Sequence, residues 1–536
     1  MIQQIQGDEE VVGELSLEQA IGQKLLVSFQ GHTLPVSFEE LLRRRHIAGV
    51  TLFRAFNVQN PAQVRELSAA LQRAAAASGQ PPLLIAADQE GGTLLALAGS
   101  TPFPGNMALG ATHSPELARR AGRAIGLELA AMGINVNYAP VCDVNVNPRN
   151  PVIGPRSFGE DPAEVARMAA AMTEGLQEAG VAATAKHFPG HGDTSTDSHH
   201  GTPVLPFDEE RLRRVELPPF VEAIQAGAKL VMSAHIALPG LTNGVAIPAT
   251  LSRPIITGLL RNTLGFEGVI VSDALDMGAV RQGREWASTA VEAVAAGIDL
   301  LLLMDSGRTY ESVYEALLRA ARRGALSPQE IAASARRVLE LKRWVSKQHQ
   351  PGLEVVQCAE HRALAYEIAA RSVTLVRDQT GSLPIRLSPE ERILVIVPRP
   401  ADLTPADTSS YDTPRLAEAL QKYHPQVDEV VVPLDVAAAD AAALRERAKG
   451  YALTIVGTIN ASDHPAQASL VNALLESGTR VIAVALRLPY DIASYPIVPT
   501  YVCTYSLHMT PMEALADALW GSIPFQGQLP VMVAGF

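Results

Sequence analysis

A chain of 536 residues that is 47% hydrophobic and 19% charged is too apolar to be disordered, and its length suits roughly two to four domains. Its 44 Lys and Arg against 56 Asp and Glu leave a net charge of −12, which excludes the broad basic face of a nucleic-acid or anionic-membrane binder and favours a small neutral or amphoteric partner. Three scattered cysteines, Cys142, Cys358 and Cys503, form no disulfide framework or zinc ribbon, and the acidic start lacks the basic end and apolar stretch of a signal peptide; a soluble cytoplasmic protein is expected, with the choice between monomer and homodimer left open by the sequence.

In chain order, short β-branched or Leu-rich runs alternate with Ala-, Glu- and Arg-rich stretches of helical period, the pattern of a parallel sheet wrapped by helices. Strands are predicted at Ile47 to Phe53, Leu83 to Asp88, Ile134 to Cys142, Ala182 to His187, Lys229 to His235, Gly268 to Asp273 and Ile298 to Asp305. These seven runs suit one TIM-type (β/α)8-like barrel over residues 1–348. Each is closed or followed by a polar residue: Arg54, Asp88, Asp143, Lys186 with His187, His235, Asp273, Asp305. A strand can end on a polar residue merely by reaching solvent, but seven together mark the carboxyl face of a barrel, where chemistry sits. A helix at Pro328 to Lys347 leads into a Pro-Gly linker at 349–362. Strands at Ile393 to Val397, Ala452 to Gly457 and Val481 to Leu486, with helices at Asp440 to Lys449 and Pro465 to Leu475, then make 363–536 a smaller α/β sandwich domain.

The densest chemistry is KHFPGHGDTSTDSHHG, Lys186 to Gly201, with four histidines (His187, His191, His199, His200) and two aspartates (Asp193, Asp197) among three glycines and a proline. Such a segment is a strand end running into a loop. It reads as an acid/base site, in which an Asp two residues from a His orients the ring, or as a metal site, or as a solvated loop. Barrel metallohydrolases place His-x-His at the end of their first strand, where this chain has Leu-Phe-Arg-Ala-Phe, so neither a metal nor another cofactor is expected. In VIVSDALDM, Asp273 closes an apolar strand and suits covalent attack on an electrophilic carbon, or caps a following helix. IAADQEGG puts Asp88 at a strand end before two glycines that let the backbone approach a ligand, or that only make a turn. NPVIGPRSFGEDP carries Arg156 on a Pro- and Gly-bounded loop, suited to several directed hydrogen bonds or to a surface ion pair.

DQEGG, GINVNYAPVCDV, NPVIGPRSFGEDP, KHFPGHGDTSTDSH and VSDALDM, in this order and spacing, resemble glycoside hydrolase family 3 and within it the β-N-acetylglucosaminidase branch, from Leu15 to about Trp344. VGTINA and GQLPV extend the likeness more loosely into the second domain. The resemblance implies a retaining exo-acting hydrolase, with Asp273 as nucleophile, His199 paired with Asp197 as general acid/base, and Asp88, Arg156, Lys186 and His187 holding the hydroxyls of a terminal N-acetylglucosamine. It also implies a carbohydrate partner, a cell-wall muropeptide fragment, since the branch serves peptidoglycan recycling. The family has an Arg directly after DQEGG; here stands Thr93. Its β-glucosidases take an acid/base Glu from the second domain, and the intact Asp-Ser-His makes that unnecessary here.

Retaining glycosidases ordinarily use two carboxyl groups about 5 Å apart. An imidazole in place of one, with a reference pKa of about 6.5, can protonate the leaving oxygen and then deprotonate water near neutral pH. It also does not repel phosphate as a carboxylate would, which keeps phosphorolysis open as an alternative. A catalytically silent sugar-binding protein is the reading from another class, and the presence of every chemical group at its motif position weighs against it.

Overall fold

A computed structural model describes residues 15–281, 285–304 and 307–533. Eight parallel strands, β1 (Leu25–Val27), β2 (Gly49–Thr51), β3 (Leu84–Ala87), β4 (Val136–Asn137), β5 (Ala182–Phe188), β6 (Leu230–Ser233), β7 (Val269–Ser272) and β8 (Leu301–Leu303), pair in the order β8-β1-β2-β3-β4-β5-β6-β7. A parallel bridge from Val271 to Leu300 joins the two ends, giving the nearly closed TIM-type barrel that the sequence predicts.

Alternation along each strand separates two layers. Leu26, Leu84, Ala86, Leu230, Met232, Val269, Val271 and Leu302 cluster inside the barrel, while Leu25, Val27, Ile85, Val231, Ile270, Leu301 and Leu303 belong to the larger core beneath the helices. The helix Pro328–Ser346 adds Val338, Leu341 and Val345 to the inner cluster. Its Ser334 and Arg337 bond Lys24 and Asp299, which stand just ahead of β1 and β8, so hydrocarbon plugs the amino end and the carboxyl end stays open. Three outer helices, Pro61–Ala77, Pro115–Ala131 and Pro162–Glu178, start on proline behind Asn60, Ser114 and Asp161, whose side chains accept a first-turn N–H.

The barrel holds one strand that the sequence reading lacks, and one predicted run is much shorter than expected. The strand β1 lies outside the seven runs, because three residues behind the short helix Leu17–Gly22 offer too few alternations to be told from a helix end. The run at Ile134 to Cys142 is strand only at Val136–Asn137; Pro140 has no N–H to give the ladder, and the chain rejoins it at one bridge, Val141 to Lys186.

The second sheet has six strands: β9 (Thr374–Asp378), β10 (Ile393–Pro398), β11 (Val427–Val432), β12 (Leu453–Thr458), β13 (Val481–Ala485) and β14 (Thr500–Cys503). Their order is β9-β14-β13-β12-β10-β11, parallel except at the edge strand β9. An apolar cluster on each face makes it a sandwich, and one of them takes in Met107, Ala108 and Ala111 of the barrel. The stretch 349–362, expected as a linker, is fastened to the barrel. Gln357 N–H and His361 Nδ1 donate to Glu128 Oε1 at 3.0 and 2.8 Å, and the helix Ala359–Ser372 that begins within it lays Leu364, Ala365 and Ile368 on the barrel core.

Candidate active site

The carboxyl end of the barrel opens into a cavity of about 570 Å³, lined by Arg54 beyond β2, Asp88 beyond β3, Lys186 and His187 of β5, Asp273 beyond β7, Arg156 at the end of the 3-10 turn Gly154–Arg156, and His199 from a loop. Residues far apart in the chain meet here because every parallel strand delivers its end to the same face.

One wall is a buried charge network. Lys186 Nζ lies 2.7 Å from both Asp88 Oδ1 and Glu90 Oε1, and Arg156 donates to the two Glu90 oxygens at 2.7 and 3.0 Å. Burial would raise the Glu90 carboxyl, but Arg156 and Lys186 hold it down at about 2; burial would lower the Lys186 ammonium, and Asp88 and Glu90 raise it. All three buried groups therefore stay charged, each compensated by another. His187 completes the wall: Nδ1 donates to Asp143 Oδ2 at 2.7 Å, leaving Nε2 3.5 Å from Arg156 Nη2. The fully buried Asp143 also accepts the backbone N–H groups of His187 (3.2 Å) and His191 (2.7 Å), so one carboxylate fixes the course of the segment.

Asp273 lies across from a second set of contacts. Its N–H donates to Ser233 O at 3.1 Å, and its Oδ1 accepts the Ala274 N–H at 2.7 Å. It caps no helix, because turns separate it from Gly278–Arg281. Burial would raise its carboxyl, but the charges of His235, His187 and His199 together with the Ala274 N–H keep it below the ordinary aspartate value. His235 is held beside it, between Thr250 Oγ1 at 2.8 Å and Ala274 O at 3.0 Å.

Beyond β5 the chain runs through turns and bends to His199, whose Nδ1 donates to Asp197 Oδ1 at 2.6 Å while its backbone N–H donates to the same oxygen at 2.9 Å. Nε2 is left for a ligand. Burial would raise the Asp197 carboxyl, and the bonds from His199 outweigh it and lower it. The loop is pinned at a few places. His191 bridges Thr194 (2.7 Å) and Ser198 (3.0 Å), Gly278 N–H donates to His199 O (3.0 Å), and Arg211 holds Asp193 at 3.1 Å. Gly192 passes so close to β4's extension that a Cβ would stand 1.8 Å from Val144 O. Burial lowers the His191 imidazole to about 4, so it serves as a neutral pin.

The seven residues singled out from the sequence thus come together: Asp88, Arg156, Lys186, His187, His199 and Asp273 line the cavity, and Asp197 backs His199. Asp193 turns away to Arg211, the exposed His200 reaches only the rim, and Asp305 lies outside the described residues. Sequence reasoning passed over Glu90, the carboxylate between Lys186 and Arg156, though its place two residues after Asp88 was a usable sign. It named Asp143 only as a strand end. It gave no sign of residues 402–411 of the second domain, where Asp402, Asp407, Thr408 and Tyr411 also line the cavity. Thr93 is buried beneath that segment, its carbonyl accepting the Thr408 N–H at 2.8 Å, and does not line the cavity. Among the described residues no three His, Cys, Asp or Glu side chains are grouped so as to hold a metal ion.

Residues 16–341 match the Glycosyl hydrolase family 3 N terminal domain, and the chain belongs to that family. The Beta-hexosaminidase A of Pseudoalteromonas piscicida is 32% identical over 97% of both chains. The Beta-N-acetylglucosaminidase/beta-glucosidase of Cellulomonas fimi is 30% identical over 92% of this chain and 89% of its own. Among solved structures, a glycoside hydrolase family 3 beta-N-acetylglucosaminidase from Paenibacillus sp. str. FPU-7 superposes with a TM-score of 0.92 at 39% identity, covering 97% of this chain and 99% of that one.

Proposed function

We propose that this glycoside hydrolase is a retaining exo-β-N-acetylglucosaminidase that removes terminal N-acetylglucosamine from cell-wall fragments or related glycosides. The observation that carries the mechanism is one cavity holding both an aspartate kept ionised, Asp273, and an imidazole with a free Nε2 backed by a carboxylate, His199 with Asp197. The choice of N-acetylglucosamine rests on the relatives named as beta-hexosaminidase and beta-N-acetylglucosaminidase, and that of a cell-wall fragment on the family resemblance of the motifs alone. In the first step Asp273 attacks the anomeric carbon as His199 gives its Nε2 proton to the departing oxygen, leaving a glycosyl ester on Asp273. In the second, His199 takes a proton from water, which attacks the same carbon and frees the carboxylate. Asp197 keeps the ring oriented and stabilises its cation, and Asp88, Lys186, Arg156 and His187 hold the sugar hydroxyls.

Mass spectrometry after a slow 2-fluoro or 5-fluoro sugar substrate is expected to find the adduct on Asp273; an adduct elsewhere would overturn the assignment. Because the base is an imidazole rather than a carboxylate, phosphate could also resolve the ester. Comparing free N-acetylglucosamine with its 1-phosphate as product, in buffers with and without phosphate, decides between hydrolysis and phosphorolysis.

A further inference from the structure

Ala274, the residue after Asp273, is gripped at both ends. Its N–H donates to Asp273 Oδ1 at 2.7 Å, and its carbonyl lies 3.0 Å from His235 Nε2. A carbonyl oxygen only accepts, so the ring donates from Nε2. The turn that begins here is closed by Met277 N–H on the same carbonyl (3.1 Å) and hung on β8 by Leu275 N–H on Leu302 O (3.0 Å). His235, two residues past the end of β6, ties it to the neighbouring strand on the other side.

The ring is itself held in place. His235 is fully buried, and its Nδ1 lies 2.8 Å from Thr250 Oγ1, which stands 2.9 Å from Ser233 Oγ and 3.0 Å from Ala234 O. Thr250 belongs to the short turn Ala249–Leu251, whose Ala249 N–H donates to Ile236 O at 2.7 Å. The end of β6 and the turn that follows it thus converge on one imidazole, which ends on the peptide whose N–H fixes Asp273. His235 does not line the cavity. A side chain that only filled this space would do so more cheaply without two buried nitrogens in need of partners. The direction of the Asp273 carboxylate follows that of Ala274, and a reacting atom displaced by about 1 Å can cost about a hundredfold in rate.

We propose that His235 is a positioning residue for Asp273 and that, acting through the Ala274 peptide, it sets the direction in which the carboxylate attacks. This rests on the reading of Asp273 as nucleophile and names the group on which its aim depends. The test uses 5-fluoro-N-acetylglucosaminyl fluoride, whose leaving group needs little help from an acid, so that kinact reports the attack and KI the binding. For His235→Leu, kinact is expected to fall roughly tenfold or more while KI stays within about twofold. His235→Gln, whose side-chain amide can donate to Ala274 O, is expected to recover most of the rate. Thr250→Val leaves the ring but removes its second bond; a smaller loss of the same kind is expected, and it carries the test if His235→Leu does not fold. An unchanged kinact would overturn the proposal, as would a loss seen in KI or one that Gln does not recover, both of which mark a structural role. Wild-type protein labelled at a residue other than Asp273 would overturn the nucleophile assignment itself, whereas equal labelling of Asp273 in wild type and variants overturns only the role of His235.

Discussion

Lys186 and Arg156 line the cavity and Glu90 joins them from behind, each with a side chain 4% exposed or less, whereas His199 reaches the cavity from a loop, 24% exposed and bonded chiefly to its own near neighbour Asp197. The contrast follows from what each side must do. Charges shut away from water have to be compensated completely, so Lys186, Glu90 and Arg156 are held to one another in the absence of any ligand. On the proposed mechanism a proton shuttle must meet a leaving oxygen in one step and a water in the next, so it needs solvent access. A glycine-rich loop held at a few points serves that purpose.

The largest test removes the group between the two sides. Asp273→Ala is expected to lower kcat/KM by about 10⁴-fold or more with no shift in the thermal unfolding midpoint, since no neighbouring carboxylate takes over a covalent step. His199→Gly sharpens the comparison from the shuttle side. A loss of roughly 10²- to 10⁴-fold is expected on a disaccharide and a much smaller one on a dinitrophenyl glycoside, whose leaving group needs no proton. On that activated substrate the variant is expected to burst and stall, and azide to restart it with formation of the β-glycosyl azide. Equal losses on both substrates, with no effect of azide, would move the shuttle elsewhere.

Glu90→Gln probes the gripping wall. Leaving two buried cations short of their anion is expected to cost about 3–5 kcal/mol in chemical denaturation, a penalty that His199→Gly does not carry. The same group has a pH signature. Because Arg156 and Lys186 hold the folded Glu90 near 2, below its ordinary 4.5, its contribution to stability is complete above about 4.5 and is lost as pH falls towards 2. A stability scan over that interval is expected to lose this component in Glu90→Gln. The smallest effect is that of Asp197→Ala, about tenfold on the disaccharide and less on the dinitrophenyl glycoside, because the ring survives but loses the carboxylate that orients it. An equal loss on both substrates would mean that Asp197 only shapes the loop.

The sequence by itself determined whatever is local or periodic. Alternating runs placed seven of the eight barrel strands, and polar residues at their ends marked the open face. The Asp197–His199 pair was legible because two residues of separation suffice to join them. Three-residue β1 was not, since so short a run has no period, and neither were the edge strands β9 and β11. Only the tertiary structure decided which distant charges pair: Arg156 with Glu90 across 66 positions, and Lys186 with Asp88 across 98. Those choices arise when the barrel closes and excludes water, because only then does an uncompensated charge become costly enough to select its partner. The seating of Thr408 on Thr93, and with it Tyr411 at the cavity mouth, belongs to the same level, for no spacing within either domain encodes the approach of one surface to another.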